Sequence, residues 1–283
     1  MRYLIVSCTL FDAGGLAMVN GAINGIRMLD DSAEFASLHA PEHHKDGIMK
    51  TFVEPEQDHE AFAWADVILD IGGLCDLQAN RYTWAALREK YHKPLIWMSQ
   101  SFKGVDTSLL EGTHVVCRGS LSLKYVMSVG GYDSIAVAPD LSFLLDPTPW
   151  RGKPYKRVFS TNIARDLAVM RNIACLKSDV QAVEKPPRGR VWEEELPIDT
   201  FHGTPEELFG LVESVEEVHT ARYQIACAAI LSGKRPVIYM TGDDKYDQKY
   251  IDLMEYFGLD RSGLRRLAMQ SCEVAVEVAR RGS

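Results

Sequence analysis

Two arginines stand where an apolar run gives way to a helical pattern. Arg118 follows His114–Cys117, and Arg222 follows Val218–Thr220. A guanidinium presents five donors in a planar fork that matches carboxylate or phosphate, so the pair could clamp an anionic ligand. The plainer reading of each is a solvated arginine at a strand end. Gly14-Gly15, just behind Asp12, and Gly72-Gly73, just behind Asp70-Ile71, would let backbone N–H groups approach an anion. They read equally as a tight strand-to-helix turn and as relief of crowding at a strand end. Neither is G-x-G-x-x-G, so a dinucleotide site has no support. Asp12 is the candidate catalytic carboxylate of the first glycine segment. His39, His43 and His44 share a polar loop with Glu42 and Asp46, a solvated cluster more than a metal site. No H-E-x-x-H or G-x-S-x-G occurs. No metal and no cofactor is implied.

These residues need a frame that brings strand ends together. Apolar runs at Tyr3–Cys8, Phe35–Leu38, Asp66–Ile71, Leu95–Ser99, His114–Cys117 and Ser134–Ala138 read as strands. Between them lie helical patterns: a Leu16, Val19, Ile23, Ile26 stripe, then Glu56–Ala65, Asn80–Tyr91 and Ser120–Val129. Strands alternating with 10–15-residue helices imply a parallel sheet with crossover helices. Asp146–Pro154 holds three prolines and a glycine, which neither a helix interior nor a central strand tolerates. The alternation then restarts. Strands are expected at Arg157–Thr161, Val180–Val183, Glu217–Thr220 and Pro236–Met240, and helices at Asp166–Leu176, from Thr204-Pro205, at Tyr223–Ser232 and at Asp247–Phe257. A last helix, Ser262–Arg280, carries an apolar stripe from Leu264 to Ala279. The expected fold is α/β, with two Rossmann-like lobes over residues 1–150 and 151–261. Residues 262–283 form a helix crossing back to the first lobe, and a ligand cleft lies between the two sheets' carboxyl ends.

The chain has 283 residues, is 46% hydrophobic and 25% charged, and carries a net charge of −8. Those values exclude a mainly disordered or coiled-coil chain, and the acidic balance disfavours nucleic acid as a partner. The six cysteines form no CxxC, and several sit in apolar runs, as in a reducing compartment. With no signal peptide and no run approaching the ~20 apolar residues of a membrane span, the expectation is a cytoplasmic protein. Oligomeric state is not legible.

The ordered set Asp66–Gly73 (DVILDIGG), Arg118–Ser122 (RGSLS), Pro139–Phe143 (PDLSF) and Arg222-Tyr223-Gln224 followed by IACAAILSGKRPVIY resembles the polysaccharide pyruvyl transferase family. The resemblance implies a two-lobed fold of GT-B type. It also implies transfer of the enolpyruvyl part of phosphoenolpyruvate onto two hydroxyls of a sugar-containing acceptor. Arg118 and Ser122 match the family's R-D-x-x-S, with Gly119 in place of the acid. Arg222 matches the arginine of its R-x-H, which holds the anionic donor. Lys245 falls where the family places a lysine before its last lobe helix. The general-acid histidine of R-x-H is Gln224 here, and a neutral amide cannot supply a proton. His219 is the available substitute. Two other readings stay open: a glycosyltransferase using a nucleotide sugar on the same frame, and a catalytically dead scaffold homologue. The acceptor could be a glycan, a lipid-linked sugar or a modified nucleic-acid base.

Overall fold

The computed structural model describes residues 1–6, 13–38, 50–52, 57–72, 74–75, 79–104, 106–160, 179–183, 199–240, 242 and 244–282. The first sheet has eight parallel strands: β1 (Arg2–Ile5), β2 (Glu34–Leu38), β3 (Lys50–Phe52), β4 (Val67–Ile71), β5 (Leu74–Cys75), β6 (Leu95–Phe102), β7 (His114–Cys117) and β8 (Ser134–Val137). Their order is β3-β2-β1-β4-β6-β7-β8, with β5 paired to the end of β6. The second sheet is β11-β10-β9-β12-β13, also parallel, from β9 (Arg157–Ser160), β10 (Asp179–Val183), β11 (Asp199–His202), β12 (Glu217–Thr220) and β13 (Val237–Ile238). Each sheet starts in its middle, and its order reverses between β1 and β4 or between β9 and β12. In open α/β sheets that reversal leaves a crevice at the carboxyl ends of the strands.

The helices are α1 (Ala13–Leu29), α2 (Asp58–Trp64), α3 (Ala79–Lys90), α4 (Ser120–Val129), α5 (Pro205–Ser214), α6 (Tyr223–Leu231), α7 (Asp244–Met254) and α8 (Arg261–Gly282). All eight residues of β6 and all five of β4 are buried, because helices cover both faces of the first sheet. One face packs on α2 and α3 through Phe62, Trp84 and Leu87. The other face meets α1, the 3-10 turn Leu141–Leu144 and α8, and that core runs on without a break into α5 and α6 beside the second sheet. The α8 stripe lies on α1 and the 141–144 turn, so the last helix does cross back to the first sheet. Backbone approach there is close: a Cβ at Gly21 would stand 2.0 Å from the Leu141 carbonyl oxygen.

Sequence and structure agree on α5. Thr204 accepts from Glu207 N at 3.2 Å while the Glu207 carboxylate accepts from Thr204 N at 2.9 Å, with Pro205 at the first helical position. The proline-rich segment is fastened to this helix. Thr148 N donates to Glu206 O, and a Cβ at Gly210 would stand 1.7 Å from Thr148 O. Three short strands, β3, β5 and β11, go beyond the pattern of apolar runs. The expected helix Asp166–Leu176 lies outside the described residues, as do the histidines at 39, 43 and 44. No helix among the described residues is long and apolar enough to cross a membrane.

Candidate functional site

The carboxyl ends of β4, β6, β7 and β8 carry a concentration of buried polar groups: Asp70, Ser99, Gln100, Ser101, Arg118 and Asp140. Arg118 is its centre. Its side chain is 1% exposed and pairs with the fully buried Asp140 carboxylate at 2.9 Å. The guanidinium also lies 4.4 Å from the ring centroid of Tyr223, the first residue of α6. Burial opposes the guanidinium's charge most strongly, but the Asp140 carboxylate together with Tyr223, Cys227 and Asp252 outweighs it and holds the group's pKa above its ordinary value. Asp140 is fixed in turn by Ser142 N, 2.9 Å from its Oδ1. Ser99, in a left-handed conformation (φ 56°), fastens the same segment: its hydroxyl accepts from Leu141 N. A non-glycine residue strained in this way persists only where its surroundings over-determine it, as at binding sites.

Met18 of α1 fills the middle. Arg118 Nη2 lies 2.9 Å and Gln224 Nε2 3.6 Å from its thioether sulfur. Gly72, with φ 68°, admits it: a Cβ there would stand 2.3 Å from the same sulfur. Thus Gly72, Arg118 and Gln224, three of the residues singled out in the sequence, converge on one buried thioether between the two sheets.

Other expected site residues fall elsewhere. Ser122 is buried in the first turn of α4, where its hydroxyl donates to Asp252 Oδ2 at 2.7 Å and accepts from Phe102 N at 3.1 Å. Gly14 and Gly15 lie within the first turn of α1 and not in a turn ahead of it. His219 sits inside β12, stacked 5.0 Å from Phe159, with Nδ1 3.0 Å from the Tyr239 hydroxyl and Nε2 3.5 Å from Glu217. Those contacts make it a packed strand histidine. Arg222 is the N-cap residue of α6, half-buried, with its backbone N bonded to Thr220 Oγ1 at 2.7 Å. Asp12 and Gly73 lie outside the described residues, and of Lys245 only its backbone place in α7 is described.

The two arginines do not stand at equivalent strands. Arg222 follows β12, which lies beside the central β9 as β4 lies beside β1; Arg118 follows β7, two places further out than β4. Nor does Arg118 point into open space, since it is sealed by Met18, Asp140 and Tyr223.

Met18, Asp140 and Asp252 belong to the site without standing out as functional residues in the sequence. Met18 looks like one more apolar residue of an amphipathic helix. Asp140 could have been found, because it lies in the quoted PDLSF segment two residues past an apolar strand.

The polysaccharide pyruvyl transferase family model matches residues 18–239 of the 283. The chain belongs to that family. Solved structures that resemble this member share its fold at low identity. UDP-GlcNAc 2-epimerase from Neisseria meningitidis bound to UDP-GlcNAc superposes with a TM-score of 0.62 at 9% identity, covering 99% of this chain and 100% of that one. S. aureus MnaA in complex with UDP gives 0.60 at 12%, covering 97% and 94%. Arabidopsis thaliana UGT89C1 complexed with UDP gives 0.52 at 11%, covering 99% and 90%. The fold is therefore the two-sheet GT-B type of epimerases and glycosyltransferases. No curated protein sequence matches the chain.

Proposed function

We propose that this family member transfers a pyruvyl group from phosphoenolpyruvate to hydroxyls of a sugar-containing acceptor. In that reaction two acceptor hydroxyls lose their protons as their oxygens bond to the enol carbon and the carbon–phosphate ester bond breaks; one proton goes to the methylene carbon, making it a methyl, and the other leaves with the phosphate. The observation that carries the reading is the convergence of Arg118, Gln224 and Gly72 on the Met18 sulfur. A thioether is a weak acceptor for a guanidinium and an amide. A donor carboxylate or phosphate oxygen in its place would turn both contacts into full, charge-assisted hydrogen bonds. Arg222, at the N-terminus of α6, and Lys245, in the first turn of α7, complete the proposed donor set. The proposed division of labour puts the acceptor side on residues 1–150 and the donor side on residues 151–261.

One observation favours a second reading. Position 224 is a neutral amide, which binds well but gives no proton, and transfer from a nucleotide sugar needs no proton delivered to carbon. Phosphoenolpyruvate and UDP are therefore titrated separately into the protein by calorimetry. The first reading expects binding of phosphoenolpyruvate, weakened about tenfold or more in Arg222→Ala, as loss of one charge-assisted contact implies. Binding of UDP alone would replace it with the nucleotide-sugar reading. Binding of neither would leave a scaffold.

A further inference from the structure

The geometry points to Asp252 as a positioning residue for the Arg118 site: delivered from α7, its carboxylate supplies the cap that residue 119 lacks. Helix α4 begins directly behind Arg118, with Gly119 as its N-cap. A glycine has no side chain to accept from the exposed N–H groups of the first turn, a task that falls to aspartate, asparagine, serine or threonine at that position. Asp252 fills the gap from 133 residues away. Its Oδ1 accepts from Leu121 N at 3.1 Å, the second helical position, where an N-cap aspartate bonds. Its Oδ2 accepts from the Ser122 hydroxyl at 2.7 Å. The carboxylate also occupies the space of the missing side chain: a Cβ at Gly119 would lie 2.6 Å from Asp252 Cβ and 2.7 Å from Oδ1. Only one carboxylate fits, and this chain carries it at 252.

Neighbouring residues of the same segment fasten the same place. Glu255 accepts from Ser120 N at 3.1 Å and from its hydroxyl. The Tyr256 hydroxyl donates to the Arg118 carbonyl at 2.6 Å, and Gln248 Nε2 donates to Phe102 O at 2.8 Å. Within the same segment, the Tyr250 hydroxyl donates to Ala221 O at 2.6 Å, directly before Arg222. The segment 248–256 thus ties the backbone at Arg118 to the backbone at Arg222. Asp252 is buried, and burial pushes its carboxyl up while Ser122 and Leu121 pull it back only in part.

The test is a carboxylate transplant, and its ligand arm rests on the anionic-donor reading above. Gly119 has extended backbone (φ −166°), which aspartate adopts without strain. Wild type, Asp252→Gly, which also removes the Cβ that would meet an aspartate at 119, Gly119→Asp and the double variant are compared by phosphoenolpyruvate and UDP calorimetry and by melting temperature. Asp252→Gly is expected to weaken binding of whichever probe wild type binds by about tenfold, and Gly119→Asp alone to melt lower than wild type. The double variant is expected to recover to within about threefold of wild-type affinity and to melt above both single variants. Unchanged affinity in Asp252→Gly, or a double variant no better than Asp252→Gly, overturns the assignment. If wild type binds neither probe, the donor reading fails separately and the melting temperatures decide: a double variant above both singles supports the transplanted cap, and additive losses overturn it.

Discussion

Arg118 differs from an ordinary strand-end arginine because it is sealed. Its guanidinium answers a buried carboxylate at 2.9 Å, and removing one member of such a pair strands the other in a poor solvent. Arg118→Ala is expected to cost about 3–5 kcal/mol, read as a lower urea midpoint. Arg222→Ala, at the half-buried N-cap of α6, is expected to move the midpoint far less while weakening the donor. Equal midpoint losses in the two variants would count against separate roles. The residue types at the site were legible, because Arg118, Gly72 and Gln224 stand in the segments where strands end. Their partners were not. Asp252 lies 134 residues beyond Arg118 in the sequence, and nothing in the local pattern links a helix-face aspartate to a glycine cap. Met18 was hidden for the opposite reason: its spacing fits a core stripe, and only the fold shows two polar groups turned towards its sulfur.

At the scale of elements, the long buried strands were the easiest to read, since β4 and β6 are near-continuous apolar runs and must be central. Of the three strands that escaped, β5 is only Leu74-Cys75, and the other two are short edge strands with few apolar residues: β3 is Lys50-Thr51-Phe52 and β11 is Asp199-Thr200-Phe201-His202. Edge strands need only one apolar neighbour, so their periodicity is too brief to register. The central strands carry an electrostatic clasp as well. Arg2, at the start of β1, bonds Asp66, just before β4, through its backbone N at 2.9 Å and its guanidinium at 2.8 Å. Burial alone would raise the Asp66 carboxyl, but the Arg2 contacts outweigh it and hold it below its ordinary value. A carboxyl lowered in the folded state adds stability above its unfolded value, near pH 4, and that stability is lost as pH falls through the folded value. Asp66→Asn should therefore flatten the fall in melting temperature between about pH 5 and pH 3. A curve with the wild-type slope would show that the pair contributes nothing there, the usual outcome for more exposed ion pairs.

On the scale of the molecule, two parallel sheets with reversing strand order turn their carboxyl ends to one junction. The core around α1, α8 and the 141–144 turn continues from one sheet to the other. The polar groups at that junction are held by elements from both sides, with Arg118 from the first sheet under Tyr223 of α6 and Asp252 of α7 on α4. Two sheets and a returning helix were readable from alternation and a proline-rich break. The continuity of the core was not, because a stripe does not state its partner. Binding of an anionic donor at this junction is read by amide hydrogen exchange with and without saturating phosphoenolpyruvate. Slowed exchange is expected, confined to residues 70–72, 117–122 and 221–225. Unchanged exchange in all three segments, or protection only at a distance from them, would contradict it.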